Sequence, residues 1–267
     1  MGNKKLQTEP KHVNKDNYTE YLLCLALDVG EGMLKNGGEV SRVEDTIERI
    51  CKAYGAIHVE VFSIISFIHA GIRMPDGTYS SQLRRIKSTS TNLNTLEALN
   101  ALSRNICKET PDLDTFNERI RSAKRNSSYP LWIRILASAI SVGSFAIFFG
   151  GNYKDGLVAA LIGAFISLIN NVSAARINAM AKTVVSSFFA SVIAGIAVTL
   201  GIGNNADAII IGIIMILVPG LAFGTALRDL LCGDLLTGSL KTLQACLGAL
   251  MIAFGYMLAA SLFGGVI

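Results

Sequence analysis

Val218-Pro219-Gly220 stands thirteen residues into an apolar run that begins at Ala206. Proline removes one helix hydrogen bond and its ring clashes with the preceding turn, while glycine accepts backbone angles closed to other residues. A helix broken there exposes N–H groups at the start of its second half, and such groups can hold a carboxylate near the middle of a membrane. A plain kink satisfied by neighbouring helices is the competing reading of the tripeptide alone. The residues C-terminal to it favour the break: Arg228-Asp229, Gly233-Asp234 and Gly238, with hydrophobic residues between the charges that keep the stretch at the membrane. Arg228 could supply positive charge at the mouth of a path. Asp229 and Asp234 are candidate proton carriers, with ionic pairing to Arg228 or Lys241 as the alternative. A second polar cluster, Asn170-Asn171 with Ser173, Arg176 and Asn178, closes another apolar stretch. Its amides either line the path or anchor a helix end at the interface.

These groups need a scaffold that enters lipid, and the composition is divided accordingly. Residues 1–130 carry 34 of the 44 charged side chains, and residues 131–267 carry the other 10. That contrast excludes both a single soluble domain and a purely embedded chain. The net charge of +4 is shared evenly between the halves, which leaves no basic footprint for nucleic acid. A transmembrane helix needs about 20 mostly apolar residues. Five stretches approach this: Leu131–Gly151, Gly156–Asn171, Thr183–Gly201, Ala206–Leu227 and Thr242–Phe263, the second being short. Lys and Arg mark the cytoplasmic side of such spans. Nine of them (Arg119, Arg121, Lys124, Arg125, Arg134, Arg176, Lys182, Arg228, Lys241) fall on one side of the spans, and Lys154 alone falls on the other. The N-terminus is therefore placed in the cytoplasm and the C-terminus outside, in the cytoplasmic membrane. Small residues four apart (Ala159/Gly163, Ala160/Ala164, Ser191/Gly195, Gly220/Gly224) suit close helix packing, within the bundle, against a partner, or in a homo-oligomer.

The charged half has its own pattern. Residues 1–17 lack the apolar core of a signal peptide and read as a disordered tail. Tyr18–Lys35 and Glu39–Tyr54 are amphipathic helices separated by Asn36-Gly37-Gly38, and Ser41-Arg42-Val43-Glu44 fits a capping box. Ile57–Phe62, Ile64–Arg73 and Tyr79–Ile86 read as strands, with a turn at Pro75-Asp76-Gly77. Asn92–Lys108 and Asp112–Arg125 are two further helices. The fold class is therefore a membrane α-helical bundle of five transmembrane helices (131–267) preceded by a cytoplasmic α+β domain (18–130). Glu39, Glu44 and Asp45 cluster at a helix start, where the dipole favours acids; a contact with the membrane half or a ligand is the alternative.

Catalysis finds no support: GxSxG, P-loop, GxGxxG and kinase signatures are absent. The five cysteines are scattered without a CxxC, and three isolated histidines make no metal cluster, so neither metal nor cofactor is expected. A membrane-anchored cytosolic sensor or enzyme is the rival reading, although anchoring needs fewer spans.

The ordered set of motifs resembles the threonine/serine exporter family. It comprises Gly30-x3-Leu34, Gly37-Gly38-Glu39-Val-Ser41-Arg42-Val43-Glu44, Asn92-Leu93, Leu99-Asn100-x-Leu102-Ser103-Arg104, Val218-Pro219-Gly220, Arg228-Asp229 and Gly233-Asp234-x3-Gly238, and it covers roughly residues 20–255. The resemblance implies a secondary transporter, driven by the proton-motive force, that exports a small anionic or zwitterionic metabolite. Fused members join two membrane halves, and this chain is similar to the larger subunit of the split type. That implies a second small membrane subunit as partner and a dicarboxylate such as succinate as substrate, where fused members are associated with threonine and serine. Glu39, Arg42 and Glu44 are then the family-motif residues of the cytoplasmic domain, while Asn170, Asn171, Pro219, Gly220, Arg228, Asp229 and Asp234 are the substrate-path candidates that the polar groups of the spans supply.

Overall fold

The computed structural model describes residues 18–125, 129–172 and 179–263; the expected disordered tail lies outside them. They cluster into two compact units, Met1–Ser127 with Thr225–Leu240 and Ser128–Gly224 with Lys241–Ile267.

The first unit is built around α1 (Tyr18–Lys35). Leu22, Leu23, Leu25, Ala26, Leu27, Val29 and Met33 are buried, so this helix is covered on most of its circumference. It packs on α2 (Val40–Ala53), α3 (Leu93–Glu109), α4 (Leu113–Arg125) and a three-stranded antiparallel sheet. Gly30 permits the close approach of α2: an added Cβ would lie 2.5 Å from Cδ1 of Ile47. The sheet runs β1 (His58–Ile64), β2 (Phe67–Arg73), β3 (Tyr79–Arg85) in chain order, with Phe62 opposite His69 and His69 opposite Leu83. Ile68, Ala70 and Ile72 alternate on the face turned to the core, the period-two pattern of a half-covered sheet.

The elements read from the sequence are all present here, with two corrections. The first hairpin turns at Ile65-Ser66 rather than at Ser63, which is a paired strand residue opposite Ile68. The capping box does not form. The N-cap of α2 is Glu39, so Ser41 already lies inside the helix, and the Glu44 carboxylate is drawn instead to Ser63 of β1.

The second unit is helical: α5 (Leu131–Phe148), α6 (Tyr153–Val172), α7 (Ala179–Thr199), α8 (Ala206–Leu217), the first residues of α9 (Gly220–Leu231) and most of α10 (Leu235–Leu262). α5 packs on α6 and α8 through glycine. A Cβ on Gly143 would sit 2.8 Å from the Gly156 carbonyl oxygen, and one on Gly212 would sit 2.8 Å from the Ala146 nitrogen. Gly255 of α10 lies as close to the α7 backbone at Val184. Backbones this near each other maximise van der Waals contact, which must replace the hydrophobic drive inside lipid. Of the small pairs, Ala159 is buried and Gly163 packs on α5, but Gly220 and Gly224 have nothing within 4 Å where a Cβ would point. Leu157, Leu161 and Leu250 point outward, each more than three-fifths exposed.

Three described helices are long and apolar enough to cross a membrane: Leu131–Phe148, Met180–Thr199 and Leu235–Leu262. The pair α8 and α9, bent by 51° at its break, would make a fourth. α6 has twenty residues but carries Lys154, Asp155, Asn170 and Asn171 near its ends.

Candidate functional site

The break in the fourth apolar stretch lies where the proline demands it. α8 closes with the Val218 N–H donating to the Ile214 carbonyl at 2.9 Å, and Val218 itself turns to extended backbone angles. Pro219 has no N–H, so the Met215 carbonyl loses the donor that a continuous helix would provide. Gly220 donates to the Val218 carbonyl at 2.8 Å and Phe223 to the Pro219 carbonyl at 2.9 Å, starting α9. A Cβ on Gly248 would stand 3.5 Å from Cγ of Pro219, so α10 runs beside the break.

Beside this end of α8 is a cleft of about 380 Å³ between α5, α6 and α8. Arg134, Ser138 and Ser141 of α5, Ser167 of α6, and Ile216 and Leu217 of α8 line it. Arg134, Ser138 and Ser141 are spaced i, i+4, i+7, which places all three on one helix face. Ser138 is buried and donates its hydroxyl to the Gly163 carbonyl at 2.8 Å. With the Ser138 O–H already given to Gly163, a cation, the hydroxyls of Ser141 and Ser167 and a carbonyl-rich helix end can together orient a small polar molecule that carries a carboxylate.

The remaining expected residues divide. Asn170 and Asn171 fall in the last turn of α6, three and four residues beyond Ser167, but their side chains lie outside the described residues, as do Ser173, Arg176 and Asn178. Arg228, Asp229 and Asp234 belong to the stretch Thr225–Leu240, which clusters with the α+β unit. There Arg228 Nη1 lies 2.8 Å from Glu39 Oε1, and the Glu39 side chain is only 14% exposed. Glu39 is thus the partner of a residue far along the chain, not simply an acid set against a helix dipole. Glu44 accepts from Ser63 N–H at 2.6 Å and from Ser63 Oγ–H at 3.0 Å. Burial raises the Glu44 pKa, the two Ser63 bonds pull it down, and the negative charge of Asp234 pushes it up again. Asp229 is buried at the end of α9, and its carbonyl accepts from Asp234 N–H at 2.9 Å as the chain turns through Gly233, whose φ is +95°. Arg42 Nη2 donates to Asn100 Oδ1 at 3.4 Å.

Motif residues from the two halves of the sequence, Glu39 and Glu44 with Arg228 and Asp234, are therefore neighbours. The family model for threonine/serine exporters, ThrE, matches residues 24–263. The chain belongs to the threonine/serine exporter family. It is accordingly a multi-pass membrane protein of the exporter type, a transporter rather than an enzyme. No curated protein and no solved structure matches it.

Two features of this exporter went unread in the sequence. Arg134 counts there only as a flanking positive charge, and Ser138, Ser141 and Ser167 blend into apolar runs; their helical spacing toward the proline break is the signal that could have found them. The other is Asp155, 1% exposed, whose carboxylate accepts from Asn204 N–H at 2.6 Å, Asn152 N–H at 2.9 Å and Asn205 N–H at 3.1 Å.

Proposed function

We propose that this exporter moves a small carboxylate-bearing metabolite out of the cell through the cleft at the broken end of α8. The observation that carries the reading is the convergence of Arg134 and three serines on that cleft. Arg134 meets the substrate carboxylate, the Ser141 and Ser167 hydroxyls donate to it, Asn170 and Asn171 are assigned to the same path from the sequence, and the break at Pro219-Gly220 supplies the hinge for alternating access. We assign to Arg228 the positive charge of the cytoplasmic mouth, and to Asp229 or Asp234 the coupled proton.

α6 serves as the fifth span, its twenty residues reaching across with polar ends at the two interfaces. The N-terminus and the α+β domain are then cytoplasmic and the C-terminus outside, in the cytoplasmic membrane. A second small membrane subunit completes the transporter, as resemblance to the split type implies, and the same resemblance points to a dicarboxylate such as succinate. One observation favours an amino acid such as threonine or serine instead. The last carbonyls of α8 present the negative end of a helix dipole, which suits an α-ammonium group better than a second carboxylate.

The test is efflux of labelled succinate, threonine and serine from cells making this chain with and without the second subunit. Arg134→Gln should lower efflux of the true substrate about 10–100-fold at unchanged membrane abundance, as expected for one charged hydrogen bond worth roughly 1.5–3 kcal/mol. Undiminished efflux from that variant would remove the cleft from the path. Undiminished efflux from Pro219→Ala combined with Gly220→Leu would remove the hinge.

A further inference from the structure

We propose that the α+β unit carries a binding site for a small polyvalent anion in the cleft between α2 and α3. The cleft measures about 330 Å³, the size of a metabolite site, and four cationic side chains line it: Arg42 and Arg49 from α2, Arg104 and Lys108 from α3. The i, i+7 spacing of the first pair and the i, i+4 spacing of the second put each pair on one helix face. One carboxylate, Asp45, is present, and Arg49 occupies it at 2.8 Å. Among the described residues no carboxylate pairs with Arg42, Arg104 or Lys108. Arg42 is steered instead by a neutral amide, Asn100, which aligns its guanidinium without cancelling its charge.

Cations gathered on one cleft with so little counter-charge repel one another, and a bound anion relieves that repulsion. Planar guanidinium forks match the oxygen pairs of carboxylate and phosphate groups, so the ligand class is an anion with two or more such groups. The cleft also unites two stretches singled out in the sequence, Ser41-Arg42-Val43-Glu44 and Asn100-x-Leu102-Ser103-Arg104, to which the transport path gives no task. This site is independent of the transport reading, since it lies wholly within the α+β unit.

Cys107 lines the same cleft and reports on it. The full chain in neutral detergent is treated with iodoacetamide at mildly alkaline pH, and alkylation of each cysteine is followed by peptide mass spectrometry. The probes are citrate, succinate and inorganic phosphate, with sodium chloride at matched ionic strength. At least one probe should slow Cys107 alkylation about threefold or more in a saturable way and leave the exposed Cys232 unaffected. In Arg104→Gln with Lys108→Gln the half-protecting concentration should rise about tenfold or more, as loss of charged hydrogen bonds implies. The same probe should raise the thermal midpoint of the wild type and not that of the double variant. Protection by no probe, equal protection in the double variant, or equal slowing at Cys232 would overturn the proposal. So would protection by phosphatidylglycerol nanodiscs alone, which would assign the cleft to lipid headgroups.

Discussion

Glu44 illustrates how one carboxylate serves a role other than its local sequence context announces. Four residues beginning at Ser41 have the form of a capping box, yet the helix begins two residues too early for it, and the acid reaches β1 instead. Periodicity fixes where a helix runs, but the first turn is decided by what lies across from it, and Ser63 is remote in sequence. The consequence is measurable. Burial, set against the Ser63 bonds and reinforced by Asp234, holds the folded pKa of Glu44 above its ordinary 4.5. The folded state then keeps a proton that the unfolded chain has released, so stability is lost as pH rises from 4.5 through the raised value. The wild-type thermal midpoint should fall across that window toward neutrality. Glu44→Gln, which keeps an acceptor for Ser63 but cannot titrate, should flatten the fall; an unchanged slope would show that Glu44 is not its source. Cys51 is a simpler case at the same scale: burial pushes its thiol up to about 12, and it should resist alkylation at neutral pH while exposed Cys232 reacts.

Among the elements, legibility followed chemistry. In the α+β unit every helix and strand was readable, because amphipathic periods of 3.6 and 2 report which face is covered. In the second unit nearly every position is apolar, so the sequence marks where helices exist and leaves their ends and contacts open. α6 starts three residues before the apolar run at Gly156 because Asn152 and Asp155 cap it. α10 begins at Leu235, well ahead of Thr242, since lipid-compatible residues continue back to the turn at Gly233. The small-residue pairs read from the sequence divide in the fold, Gly163 packing on α5 and Gly224 on nothing, and Gly212, outside those pairs, behaves as Gly163 does. Gly212 lets α8 touch the α5 backbone, and Gly224 faces open space. Gly212→Ala should therefore destabilise the protein by about 1–3 kcal/mol through overpacking. Gly224→Ala should leave it unchanged or slightly more stable through better helix propensity. Thermal midpoints in one detergent compare the two, and equal effects would contradict the packing described.

At the scale of the whole chain the five crossings proposed above are tested by reporter fusions. With five spans, a fusion in the connection after α6 reports cytoplasm and one at the C-terminus reports the outside. With three, both report the outside; with four spans, the C-terminal fusion reports cytoplasm. The candidate path was only half legible for a related reason. Proline and the charged motif announce themselves, whereas a cleft made by serines from two helices needs those helices placed side by side.

Asp155 has one more implication. Its carboxylate ties the first turn of α6 to Asn204 and Asn205, and Asn205 in turn caps α8 by accepting from Ala208 N–H at 3.1 Å. Ser167, Ile216 and Leu217, which border the cleft, lie at the far ends of the same two helices. The pair is pinned together at its beginnings, as a clothes peg is at its spring, so any parting of the two helices is widest at their tips, beside the cleft.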